Sequence, residues 1–155
     1  MKKSLITVVA LAALSLPAFA QVRPQVIYGS DDRLDLYQVQ DSKLLSLADS
    51  TAALFPASRV SVDRETARLT TRHYGEEMGL CREEPFYDQY AGAFCSGSLV
   101  GPDTFMTAGH CVTSQADCED TKFIFGFSIK DSSVKNPNEL PASEVYGCKK
   151  LLGRE

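Results

Sequence analysis

The chain has 155 residues, of which 44% are hydrophobic and 23% charged, and a formal net charge of −4. That is an ordinary globular composition, with enough apolar residues for one domain with its own core. The acidic balance argues against nucleic acid or an anionic membrane surface as a partner. In chain order, Met1 to Ala20 reads as a targeting segment rather than structure. Lys2 and Lys3 form a positive start, Leu5 to Leu16 an apolar run, and Ala18-Phe19-Ala20 a small-x-small cleavage site. The apolar run is too short to span a bilayer comfortably. Cleavage after Ala20 leaves 135 residues, and losing Lys2 and Lys3 takes their net charge to −6. The expected location is extracellular or periplasmic, with no membrane attachment once the leader is removed.

Residues 21–80 are expected to form an N-terminal extension or propeptide that contributes the first strands, and residues 81–155 the main domain. Val26-Ile27-Tyr28, the turn-prone Gly29-Ser30-Asp31-Asp32 and Leu34 to Val39 read either as a hairpin leading into the domain or as part of a propeptide. Lys43 to Phe55 is the best helix. Leu44, Leu47, Ala48, Thr51, Leu54 and Phe55 recur at helical spacing, Asp41 or Ser42 caps the start and Pro56 stops it. Val60 to Leu69 is polar and partly alternating, an exposed strand or irregular segment. His73 stands between Arg72 and Tyr74 without ligand-like companions and reads as a solvated surface histidine. Gly75 to Ala91, with Cys81, Glu83 and Glu84, reads as a loop whose carboxylates form a solvated face.

Ala93 to Val112 reads AFCSGSLVGPDTFMTAGHCV. Phe94 to Val100 has strand length, Gly101-Pro102-Asp103 supplies turn chemistry, and Thr104 to Thr107 gives a second short strand. The small residues Ala108 and Gly109 then leave His110 room to be approached, a fitting position for a general base. Met106-Thr107-Ala108-Gly109-His110-Cys111 resembles the histidine box of the trypsin-like, chymotrypsin-fold serine endopeptidases. Cys95-Ser96-Gly97-Ser98-Leu99-Val100 is similar to the strand that precedes that box. The resemblance implies a mainly β chain: an antiparallel Greek-key β-barrel, the first of a chymotrypsin-like double barrel and incomplete here, with one short helix near the N-terminus. It also implies His110 as catalytic base and acid, a Cys95 to Cys111 disulfide, and protein or peptide substrates. Gln21 to Asp41 is loosely similar to the N-terminal strand of V8-like glutamyl endopeptidases.

Export favours disulfides over free thiols or metal thiolates. A Cys95 to Cys111 bridge closes a loop of 16 residues, a constraint of roughly 3 kcal/mol in the loop-entropy model. Of Cys81, Cys118 and Cys148, two pair and one is left over, and sequence does not say which. Family members are activated when cleavage frees an N-terminus resembling Ile-Val-Gly-Gly. Ile27-Tyr28-Gly29 lies 83 residues before His110, too far for that, and Arg59-Val60 is nearer but lacks the glycines.

Beyond the histidine, Ser114 to Asp120 reads as a polar loop carrying Cys118. Lys122 to Ile129 reads as a strand whose Phe123, Phe125 and Phe127 share one face. Lys130 to Leu140 is polar, and Glu144 to Leu152 returns as a strand pairing with Lys122 to Ile129 in an antiparallel hairpin.

A serine protease mechanism needs an imidazole to move the proton, a carboxylate to fix its tautomer and a serine to attack. An imidazole suits that work because it takes and returns a proton near neutral pH. The family's aspartate opens an Asp-x-Ala-Leu-like strand, a context that Asp117, Glu119, Asp120, Asp131, Glu139, Glu144 and Glu155 all lack. Gly-Asp-Ser-Gly-Gly, the family's nucleophile loop, does not occur, and Asp131-Ser132-Ser133 lacks the glycines that shape an oxyanion hole. The chain thus reads as the N-terminal part of an exported serine endopeptidase, a fragment or truncated reading frame inactive alone. The alternative is a non-catalytic secreted domain with a binding role. No cofactor or metal is expected: a zinc site of Cys95, His110, Cys111 and Cys118 is disfavoured by the adjacency of His110 and Cys111 and by export. N-terminal sequencing of the exported protein is expected to start at Gln21, and a retained Met1 would refute the leader.

Overall fold

The computed structural model describes residues 31–154. The leader and the Val26-Ile27-Tyr28 segment lie outside them. The unit that begins at Leu34 is mainly β, with ten strands in antiparallel ladders and three short α-helices among the described residues. None of these helices is long and apolar enough to cross a membrane.

A single turn of 3-10 helix at Leu36–Gln38 precedes α1, Ser42–Ala48. The Asp41 carboxylate accepts the Lys43 N–H at 2.8 Å, so the expected cap is in place. The helix is shorter than its periodicity suggests, because Thr51–Pro56 is strand β1. A helix would set Leu54 and Phe55 side by side, whereas the strand sends them to opposite faces, where both are fully buried. Pairing with two neighbouring strands outweighs the local helical pattern there.

Those neighbours are β6, Cys95–Leu99, and β8, Thr121–Phe125. Leu54 stands opposite Cys95 on one side and opposite Phe123 on the other. Strand β7, Phe105–Thr107, extends the sheet beyond β6, and β10, Val145–Gly147, extends it beyond β8. The five strands run in the order β10-β8-β1-β6-β7. The antiparallel pairing of the Lys122 and Glu144 regions is therefore present, over a shorter span than expected.

The hairpin of β2, Val60–Val62, and β3, Thr66–Leu69, joins β9, Glu139–Pro141, in a three-stranded sheet. Ala67 and Leu69 of this hairpin are buried, so the segment expected to be exposed supplies core. A two-stranded ladder pairs β4, Arg72–His73, with β5, Tyr90–Ala91. Among the described residues the three ladders remain separate, with β7 and β10 as open edges, so no closed barrel forms.

The core lies on both faces of β1 and β8. One cluster gathers Ala52, Leu54, Val112, Cys118 and Phe123, and the other gathers Phe55, Ala67, Leu69, Ile124 and Leu140. The aromatic stripe divides between them. Phe123 and Phe125 pack with the first cluster, but the strand ends at Phe125 and Gly126 adopts a positive φ of 69°. That left-handed step suits glycine, and it turns Phe127 to the second cluster, edge-on to Phe55 with ring centroids 5.3 Å apart.

Two further expectations are corrected. Ser114 to Asp120 contains helix α3, Gln115–Glu119, following the short α2, Tyr74–Glu77. Ser114 Oγ accepts the Asp117 N–H at 3.1 Å, and the buried Cys118 anchors the inner face of α3. His73 is half-buried rather than solvated. Its Nδ1 accepts the Glu76 N–H at the start of α2, and the rings of Tyr87 and Tyr90 pack edge-on against it.

Leu54→Ala removes a fully buried side chain from the central strand. The expected cost is about 2–5 kcal/mol, read as a lower urea midpoint with an unchanged slope.

Candidate active site

Strands β6 and β7 form a hairpin closed through the Gly101-Pro102-Asp103 turn, where the Val100 N–H donates to the Thr104 carbonyl at 2.8 Å. Gly97 faces Thr107 across the pair. A Cβ at Gly97 would stand 2.3 Å from the Met106 carbonyl oxygen and 2.5 Å from the Phe105 ring, so a side chain there would force the strands apart. Thr107 adds a cross-strand bond from its hydroxyl to the Ser96 carbonyl at 2.7 Å. The hairpin hangs from β1 at both ends, through Phe94 N–H to Leu54 O and Leu99 N–H to Ser50 O.

Past β7 the chain makes a tight turn in which the Cys111 N–H donates to the Ala108 carbonyl at 2.9 Å. His110 stands on this turn, exposed to solvent. The Cys95 and Cys111 sulfurs are 1.98 Å apart, a disulfide bond that ties the turn to β6. His110 Nε2 lies 3.9 Å from Cys95 Sγ. Among the described residues no carboxylate oxygen comes within 4.0 Å of the His110 ring nitrogens.

Three further contacts hold the turn. Val112 is buried in the first core cluster. Thr113 donates both its N–H and its hydroxyl to Asp117 Oδ2. Arg154 Nε donates to the Gly109 carbonyl at 2.6 Å. Sequence reading missed the last two: the Ser114-x-x-Asp117 pattern is a helix-start signal that was available, whereas nothing local announces Arg154.

Cys118 and Cys148 form a second disulfide with sulfurs 1.93 Å apart, and Cys81 is the free, exposed thiol among the described residues. The four-residue zinc arrangement is therefore not assembled, since Cys118 is bonded elsewhere and Cys95 and Cys111 to each other. Glu83 and Glu84 are exposed and far along the chain from the histidine turn. Asp131 accepts the N–H and hydroxyl of Ser133 in a local turn, so that serine faces a carboxylate and not His110. Two hollows of the surface, one lined by Leu34, Leu36, Tyr90 and Ile129 and the other by Lys130, Asn138 and Glu144, lie away from the histidine turn. His110 thus presents an imidazole to solvent from a turn whose backbone is held in place.

Residues 84–145 match a family model described as Trypsin. No curated protein and no solved structure matches the chain. The match supports a partial trypsin-like serine protease domain over this stretch, which contains Cys95, His110, Cys111 and Cys118.

The hydroxyl and N–H of Thr113, with further help from Ser114, hold the Asp117 carboxyl below its ordinary range. A depressed folded-state value gives stability that is present above the unfolded value and lost as pH falls through the folded one. Asp117→Asn is therefore expected to lower the thermal midpoint at neutral pH, with the difference from the parent shrinking below about pH 4. A difference constant from pH 7 into acid would contradict this account.

Proposed function

We propose that this chain supplies the histidine of an exported serine endopeptidase, with His110 as the group that takes the serine proton and returns it to the leaving amine. The observation that carries this reading is the position of His110: exposed, on a turn bound to β6 through Cys95 and Cys111, inside the stretch that matches the Trypsin family model. Peptide-bond hydrolysis needs a base whose backbone is fixed while its ring nitrogens stay open to a hydroxyl. The turn offers both. The substrates of such a site are proteins or peptides, and the leader directs the protein out of the cytoplasm.

In this reading the aspartate and the nucleophilic serine lie outside these 155 residues. Three observations support that. No carboxylate reaches the His110 ring among the described residues, the Gly-Asp-Ser-Gly-Gly sequence is absent, and Asp131 to Ser133 is a self-contained turn. A base without its orienting carboxylate and its nucleophile performs no acyl transfer.

Expressed as these 155 residues, the protein is expected to stay unlabelled by a fluorophosphonate probe and to leave casein intact; labelling would place a reactive serine within it. A polypeptide translated through the reading frame beyond codon 155 that carries the two missing motifs is expected to be labelled and active. In it, His110→Ala should lower kcat by about 10⁴-fold or more, and an unaffected kcat would remove His110 from the mechanism.

A further inference from the structure

We propose that reduction of the Cys95–Cys111 bridge turns Cys95, His110 and Cys111 into a binding site for a zinc-type divalent cation. The donor atoms of these three residues already lie within 4.8 Å of one another. His110 Nε2 and Cys95 Sγ are 3.9 Å apart. Two ligands of one tetrahedral zinc, a sulfur at about 2.3 Å and a nitrogen at about 2.0–2.1 Å, stand about 3.6 Å from each other. The nitrogen is thus close to its place, and the two sulfurs need only separate to about 3.8 Å, the distance between two thiolates on the same ion.

Neighbouring side chains such as His110 and Cys111 ordinarily diverge. Here the turn closed by the Cys111 N–H on the Ala108 carbonyl brings them to one side. The segments that carry the ligands are also held together without the bridge. Cys95 is paired with Leu54 on β1, Val112 is buried, Thr113 is bonded to Asp117, and Gly97 is paired with Thr107. Breaking the sulfur–sulfur bond therefore leaves two thiols facing each other beside an imidazole. The two cysteines are half-buried and His110 is exposed, so a cation enters from solvent and a water completes its coordination. Cys118 takes no part, being fully buried and outside the group of donor atoms that lie within 4.8 Å of one another.

The chemistry balances with a dithiol donor. The donor gives two electrons, the Cys95–Cys111 bond breaks, each sulfur gains a proton, and the donor closes to its own disulfide. Cation binding then displaces the two thiol protons. Reoxidation by a disulfide restores the bridge and expels the cation. With Nε2 committed to the metal, His110 has no lone pair there for a substrate proton, so the loaded form is blocked as a base. The site itself rests on donor geometry and stands apart from the proteolytic reading.

The test reduces the full chain with a phosphine and titrates it with cobalt(II), then zinc(II). The expected result is one cobalt per chain with thiolate-to-cobalt charge-transfer absorption, bleached by zinc. Alkylation mapped by mass spectrometry should show Cys95 and Cys111 shielded by zinc while Cys81 reacts. Loss of a ligand exceeds the ten- to hundredfold cost of losing a ligand's own support, so His110→Ala should weaken zinc binding by more than about tenfold. Cys81→Ser should bind as the parent does. The proposal is overturned by absence of the charge-transfer band, by equal alkylation of Cys95 and Cys111 with and without zinc, by shielding of Cys118 and Cys148 instead, or by unchanged affinity in His110→Ala. Loss of the β-sheet signal in circular dichroism on reduction, before metal is added, would overturn it as well.

Discussion

Strand β1 is the constraint on which the rest depends. It is hydrogen-bonded along both edges, to β6 and to β8, and buried on both faces, with Ala52 and Leu54 in one cluster and Phe55 in the other. A fully buried leucine or phenylalanine stabilises by about 1.5–3 kcal/mol, so this strand concentrates much of the apolar stabilisation of the unit. Its position also fixes the register of its neighbours. A slip by one residue would exchange Leu54 and Phe55 between clusters of different shape.

The histidine turn inherits its order from that register. Cys95 faces Leu54, the hairpin of β6 and β7 hangs from Leu54 and Ser50, and Gly97 lets β7 approach closely enough for Thr107 to bond Ser96. Only then is Cys111 within reach of Cys95. The disulfide is the last element of this arrangement, a covalent lock on a geometry that packing and backbone bonds have already set.

How much of this was legible in the sequence follows from how local each signal is. The Cys95 to Cys111 stretch spells out strand, turn, strand and histidine within a few residues of one another, and the structure has those elements in that order. The Asp41 cap was readable for the same reason. Thr51 to Phe55 carried a helical pattern that gave way to partners more than 40 residues distant, which no window of sequence contains. Phe127 left its stripe because of the single glycine before it, and His73 was read as solvated because Tyr87, Tyr90 and Asp88 reach it only through a folded loop. Cys118 on α3 and Cys148 just past β10 come together across 30 residues, and composition alone left their pairing open.

Positioning and catalysis are separable requirements, and in the proposed reading the His110 turn meets the first. The turn fixes the backbone of His110 from several sides: Val112 by burial, Cys111 covalently, Gly109 through Arg154, and Thr113 through Asp117. None of these contacts fixes the imidazole ring itself. A base must present its unprotonated nitrogen to the nucleophile to act, and a carboxylate at the other ring nitrogen is what sets that tautomer. The carboxylate of a catalytic triad adds that single further constraint, and the serine adds the bond-forming atom. In the proposed reading, a fold that delivers an exposed, tied-down histidine turn meets the packing requirement of such a site, and the electrostatic requirement falls to the aspartate and the serine.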